Sequence, residues 1–202
     1  MTTRSGPLFQ EPSVPAGFSY REGFITAAEE VALLDALSTV CFSAFELRGV
    51  VARRRVAFFG ESYDRTEALP FPDFLLPVRD RIAAWSQADA HAFAMALINE
   101  YPPGAPIGWH RDAPQYDIVA GLSLLSPCRM RFRPYHSPAA LPLPGRRLAT
   151  HEIVLDRRSA YVMTGDSRTS YEHQIPPVTH LRYSVTFRTL RRAINPGSRS
   201  GP

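Results

Sequence analysis

Apolar and polar positions follow two different periods along this chain, and the change of period divides it. Between residues 26 and 39 the apolar Val31, Leu33, Leu34 and Leu37 keep helical spacing. Thr26 stands ahead of them with Glu29 three residues on, the pattern of a capping box, so a helix is predicted over about 27–39. A second is predicted over 73–86, where Leu75, Val78, Ile82 and Trp85 share one face and Pro77 limits the regular part. Between them FELRG at 45–49 and RRRVAFF at 53–59 read as a hairpin.

From residue 93 the pattern is strand-like almost throughout: FAMALINEY at 93–101, IVAGLSLL at 118–125, RMRFR at 129–133, HEIVL at 151–155, SAYVM at 159–163 and RYSVTFRTL at 182–190. Short strands between Pro and Gly turns predict a sandwich, jelly roll or closed barrel. The expected class is α+β, one domain over 1–202, with helices and a hairpin before an all-β core at 93–190. Pro7, Pro12 and Pro15 mark 1–17 as an extended arm, and 191–202 reads as a flexible tail.

Composition narrows the chemistry. The 202 residues are 45% hydrophobic and 21% charged, which excludes a disordered chain and a coiled coil. All 23 Lys+Arg residues are arginine, so lysine Schiff-base catalysis and a P-loop lysine are excluded. The net charge is +4, but Arg191, Arg192 and Arg199 supply three of those charges from the last dozen residues, leaving 1–190 at +1. That is a weak argument for a nucleic-acid partner. No apolar run reaches the roughly 18 residues of a membrane span, and MTTRSGPLFQEP lacks the apolar core of a secretory signal. A cytoplasmic monomer without membrane contact is expected, with Cys41 and Cys128 as buried thiols.

The candidate chemistry begins at His110 and Asp112, two apart after the turn PPGAPIG, on one face if the strand is extended. Alone the pair reads first as a surface histidine beside a turn carboxylate, since a chance H-x-D is common. His173, in SRTSYEHQIPP, supplies a third candidate ligand. Two imidazoles and one carboxylate leave three open positions on Fe(II), two for an α-keto acid and one for dioxygen. The far carboxylate of such an acid needs a cationic fork, and Arg182 and Arg188 lie on one face of their strand with Ser184 and Thr186. Their Cα atoms would be about 20 Å apart on a regular strand, so Arg188 reads equally as cover for a barrel mouth. Asn99 and Tyr101, also two apart, could offer an amide and a phenol, or form a turn-capping pair. His91, His136, His151 and His180 read as structural, and Trp109, pointing away from His110, as core.

Taken in order, NEYPPGAPIGWHRD, GLSLLSP, TGDSRTSYEHQIPP and RYSVTFR resemble the AlkB family of Fe(II)/2-oxoglutarate dioxygenases, with its N-x-Y, H-x-D, H and R-x5-R pattern. The resemblance covers about residues 90–190 well and is looser over 18–90. It implies a double-stranded β-helix in which His110, Asp112 and His173 bind iron, and Asn99, Tyr101, Arg182, Ser184 and Arg188 bind 2-oxoglutarate, with O2 as co-substrate. It further implies a substrate lid at about 45–65, with Arg53, Arg54 and Arg55 for phosphates and Phe58, Phe59 and Tyr63 for stacking on a base of alkylated single-stranded DNA or RNA. Two departures bear on substrate. Ser184 stands where better-known members have Asn, and Pro114 stands where nucleobase-repairing members have an acid. The activity implied is oxidative demethylation of N-alkylated bases. The alternatives are a protein or small-molecule hydroxylase and a catalytically silent jelly-roll binding module.

Overall fold

A computed structural model describes residues 14–47, 49–61, 69–135 and 150–191. The expected arm up to residue 13, Tyr63 and the far end of the lid, the loop with His136 and the tail from 192 lie outside the described residues.

Eleven strands form two antiparallel sheets among the described residues. The larger contains β1 (Phe18–Arg21), β2 (Ser43–Leu47), β3 (Val50–Gly60), β4 (Met95–Tyr101), β6 (Tyr116–Leu124), β9 (Ala160–Met163) and β11 (Arg182–Leu190), in the order β1-β9-β6-β11-β4-β3-β2. The smaller contains β5 (Ile107–His110), β7 (Cys128–Pro134), β8 (His151–Leu155) and β10 (Tyr171–Ile175), in the order β5-β10-β7-β8. This is the double-stranded β-helix expected. The hairpin β2–β3 continues the larger sheet through β3–β4 pairing.

Period-two alternation gives the larger sheet two different faces. Outward from β4, β6 and β11 project Ala96 and Ile98, Ala120 and Leu122, and Val185 and Phe187, all buried beneath Leu33 and Leu37 of α1 (Ala27–Leu37) and Val78 and Ile82 of α2 (Leu76–Ser86). Inward, toward the smaller sheet, project Met95, Leu97 and Tyr101 against Met130, Phe132 and Ile175. Gly121 on β6 is fixed by close approach: a Cβ there would stand 2.4 Å from the Tyr161 ring, its partner on β9.

The helices begin as their sequences specify. Thr26 N–H donates to Glu29 Oε2 at 2.7 Å and Glu29 N–H to Thr26 Oγ1 at 3.2 Å, closing the capping box of α1. Pro77 occupies the first turn of α2, where its missing N–H costs nothing, after a 3-10 turn at Asp73–Leu75. Glu30, fully buried, accepts from Leu125 N–H at 2.8 Å and Arg157 Nε at 2.6 Å, which ties α1 to the β6–β7 and β8–β9 turns.

Several expectations are corrected. β1 follows directly on the predicted arm, because Phe18 finds a partner strand in β9 and packs on Phe132 and Tyr161. β5, β10 and a short α3 (Gly165–Thr169) add to the elements that the pattern predicts. Cys41 is exposed rather than buried, since it lies in the turn between α1 and β2; Cys128 is buried. Trp109 does point away from His110, but onto the outer face of the smaller sheet, where the Arg133 guanidinium covers it at 4.4 Å, so it is not core.

Candidate active site

Strand pairing assembles the candidate residues on the facing inner surfaces of the two sheets. In β4–β11, Tyr101 stands opposite Arg182, Asn99 opposite Ser184, Leu97 opposite Thr186 and Met95 opposite Arg188. In β5–β10, His110 stands opposite His173, with ring centroids 4.3 Å apart. All of these side chains line one cavity of about 480 Å³. Its size falls within the usual range for small-molecule sites.

Asp112 reaches the same cavity differently from expectation. Strand β5 ends at His110, so Asp112 lies in the following loop rather than on the strand face. Arg168 holds this loop: its Nη2 donates to the carbonyls of Ala113 and Tyr116. Both Nε and Nη2 of Arg188 donate to Asp112 Oδ1, at 2.9 and 2.7 Å, and Asp112 Oδ2 stands 3.7 Å from His173 Nε2. Arg188 therefore anchors the carboxylate and does not cover a barrel mouth.

Electrostatics sets the protonation states. Burial alone would raise the Asp112 pKa, but Arg188, His173 and His110 outweigh it and hold the carboxyl well below its ordinary range. His173 is pushed down to about 3, first by burial and then by His110. Its imidazole is neutral at pH 7, so the 3.7 Å approach to Asp112 is not an ion pair. His110 Nδ1 lies 2.9 Å from Gly108 O; with the proton placed on Nδ1, Nε2 keeps its lone pair.

Among the described residues, no three His, Cys, Asp or Glu side chains are arranged so as to hold a metal ion. The donor set nevertheless fits ferrous iron chemically: two imidazoles, that of His173 neutral at pH 7, and one ionised carboxylate line the same cavity.

Arg182 brings a buried positive charge to the same cavity. Arg182 is 1% exposed, donates from Nη2 to Ser123 Oγ at 3.2 Å, and stands 5.0 Å from the Tyr101 ring centroid. Its Nε and Nη1 are buried without a hydrogen-bond partner. Buried donors left unpaired carry a desolvation cost of about 1–3 kcal/mol or more, and a carboxylate placed there would remove it. Burial raises the Tyr101 pKa above its ordinary value, so the phenol keeps its proton for donation. Asn99 Nδ2 donates to Ser184 Oγ at 3.5 Å, and its Oδ1 accepts from Arg54 Nε at 3.1 Å.

The same alternation sorts the candidate substrate residues. Arg54 and Phe58 line the cavity. Arg55 turns to the opposite face, where it is paired with Glu100, which also accepts from Tyr183 Oη. Phe59 packs against the helix-side core. Arg53 is exposed beside the turn at Gly104. Of the described candidates only Arg54 and Phe58 line the cavity, because neighbours on a strand face opposite ways. Pro114 is exposed and, unlike Ala113, does not line the cavity.

Sequence reasoning missed three contributors. Ser123 and Tyr161 lie on apolar strands where nothing marks a polar wall, although both alternate with helix-side residues. Arg168 lacked any motif of its own.

Comparison with known proteins agrees with this geometry. The model of the 2OG-Fe(II) oxygenase superfamily matches residues 20–191. The chain belongs to this superfamily. With membership come iron(II), 2-oxoglutarate and dioxygen as cofactor and co-substrates, and a dioxygenase activity. The oxygenase is 27% identical over 192 residues to "Alkylated DNA repair protein ALKBH8 homolog" of Arabidopsis thaliana, covering 84% of this chain and 54% of the plant protein. It therefore spans about half the length of that relative. It is 26% identical over 194 residues to "Uncharacterized protein L905" of Acanthamoeba polyphaga mimivirus, covering 86% of this chain and 85% of the viral one. Two solved structures share the fold. OsALKBH1 has a TM-score of 0.61 at 13% identity, covering 88% of this chain and all of that one. A Pseudomonas putida prolyl-4-hydroxylase has a TM-score of 0.57 at 18% identity, covering 88% and 94%. The expected resemblance to AlkB-type oxygenases is borne out. No described helix is long and apolar enough to cross a membrane.

Proposed function

We propose that this oxygenase oxidatively demethylates N-alkylated bases in single-stranded nucleic acid, with His110, Asp112 and His173 holding iron. The observation that carries the site assignment is the polarity of the cavity. His110, a neutral His173 and an ionised Asp112 line it, and Arg182, buried with two unpaired donors, lines it from the facing sheet. Arg182 would take the distal carboxylate of 2-oxoglutarate, with Tyr101, Asn99 and Ser184 beside it, while Arg188 keeps Asp112 ionised and aimed. When bound, iron, 2-oxoglutarate and dioxygen supply an oxidant for a nearby C–H bond; one oxygen atom ends in succinate, released with CO2, and the other in the hydroxylated product. An N-hydroxymethyl group then breaks down to the free amine and formaldehyde. The protein's share is to hold the methyl group in line and exclude water, which the walls of Met95, Leu97, Tyr161 and Met130 serve.

The choice of nucleic acid is supported by the plant relative's name, by half-buried Arg54 and Phe58 on the cavity wall, and by the motif order. The absence of an acid at Pro114 favours a second reading, in which the methylated group belongs to a protein or small molecule. The test is succinate and formaldehyde release by the Fe(II)-loaded protein with a panel of methylated single-stranded DNA and RNA oligonucleotides. Release of both in step, stimulated by one oligonucleotide, is expected. Steady turnover that no oligonucleotide stimulates would overturn the nucleic-acid reading.

A further inference from the structure

Four arginines line the cavity, and the reading above employs two. Arg188 holds Asp112, and Arg182 faces the co-substrate carboxylate. Arg54 has no such counterpart. Its Nε donates to Asn99 Oδ1 at 3.1 Å, and its guanidinium lies 4.1 Å from the centroid of the Phe45 ring. Phe45 covers one face and Asn99 takes the Nε edge, so the two Nη groups are the donors left for a ligand.

Among the described residues no carboxylate forms an ion pair with this charge. The acids lining the cavity are Asp112, engaged by Arg188, and Glu46 at the exposed rim; among the described residues Arg54 forms an ion pair with neither. Loop residues Ala113 and Pro114, next to Asp112, supply no carboxylate. Arg111, which also lines the cavity, is occupied by Thr169 O at 3.1 Å and by the Tyr135 ring at 3.4 Å, and it adds positive charge.

We infer that Arg54 is a specificity-determining residue that takes an acceptor oxygen of the substrate and excludes methylated bases bearing a positive charge. A cationic base such as 1-methyladenine or 3-methylcytosine would meet an uncompensated guanidinium in a partly desolvated site. A neutral base with an imide carbonyl, such as 3-methylthymine, or a group with an anionic oxygen, would instead be held by the Nη fork. The inference deepens the demethylase reading from an alkylated base to a neutral or anionic one, and it rests on that reading for its choice of nucleotide probes.

The test uses the full chain with Fe(II) and 2-oxoglutarate and two short single strands, identical except for a central 3-methylthymine or 3-methylcytosine. The wild type is expected to favour the neutral base by roughly 10-fold or more in kcat/KM, and Arg54→Glu to abolish or reverse that preference. A wild-type preference for 3-methylcytosine, or a ratio unmoved by Arg54→Glu, would overturn it. If neither strand stimulates turnover, the demethylase reading fails and sulfate decides Arg54 separately. Sulfate titrated calorimetrically into the Mn(II) and 2-oxoglutarate form should then bind the wild type and lose at least roughly 10-fold in affinity in Arg54→Gln. Equal or absent sulfate binding in both would overturn the role. Sulfate that competes with the neutral strand marks an anionic oxygen as the natural acceptor; a strand preference without sulfate binding marks a carbonyl.

Discussion

The two faces of strand β11 do different work within nine residues. Val185 and Phe187 are fully buried against the helices, while Arg182, Ser184, Thr186 and Arg188 line the cavity. The outer face gains from apolar burial and tolerates no loss of volume. The inner face buries two guanidinium groups, which adds little to stability and sets up binding. Alternation thus lets one strand separate stability from chemistry, and substitutions should separate in the same way.

Phe187→Ala should show the largest effect on folding. Truncating this fully buried ring is expected to cost about 3–5 kcal/mol, read in denaturant unfolding, with the 2-oxoglutarate affinity of the folded fraction unchanged. Arg182→Met, on the other face of the same strand, should reverse that outcome. Loss of a buried charge partner for a carboxylate is expected to cost about 2–5 kcal/mol of 2-oxoglutarate binding, about 30-fold or more, with folding stability within about 1 kcal/mol of wild type. Calorimetric titration of the two variants would break the comparison if both lost stability and affinity alike.

Gly121→Ala tests whether the inner wall is as closely packed as the outer. The added Cβ would collide with the Tyr161 ring, and a loss of about 1–3 kcal/mol is expected, with weakened 2-oxoglutarate binding because Tyr161 lines the cavity. Unfolding and titration on the one variant would read both effects. The smallest effect belongs to the helix cap, far from either face. The Glu29 carboxyl is lowered from 4.5 to about 2, chiefly by Arg81 and then by Thr26 N–H. Because the folded value is depressed, its contribution is present above about pH 4.5 and fades as pH falls toward 2. Glu29→Gln should cost about 1 kcal/mol at pH 7 and little at pH 2 to 3, measured by unfolding at each pH.

What was legible in the sequence follows the same division. Long strands whose outer face is apolar, such as β4, β6 and β11, announce themselves by alternation, and so do the polar residues between. Strands β5 and β10 do not: IGWH and YEHQI are short, and the histidines interrupt their apolar face. The motif order nevertheless picked out His110, Asp112 and His173, and the cavity contains all three although Asp112 lies beyond its strand. The hairpin is the instructive case. Alternation sends Arg54 and Phe58 inward and Arg55 and Phe59 outward, so the basic run and the aromatic pair are each split between the cavity and the opposite face. Ser123 and Arg168 were invisible because their roles depend on partners 59 and 52 residues away.

The most direct test of the central claim is anaerobic titration of iron(II) and 2-oxoglutarate into the protein, following the visible absorption of the iron–keto-acid chelate. One iron and one 2-oxoglutarate per chain are expected in the wild type, with the band absent in His173→Ala and requiring about 30-fold or more 2-oxoglutarate in Arg182→Met. A band of equal intensity and midpoint in both variants would contradict the assignment of this cavity.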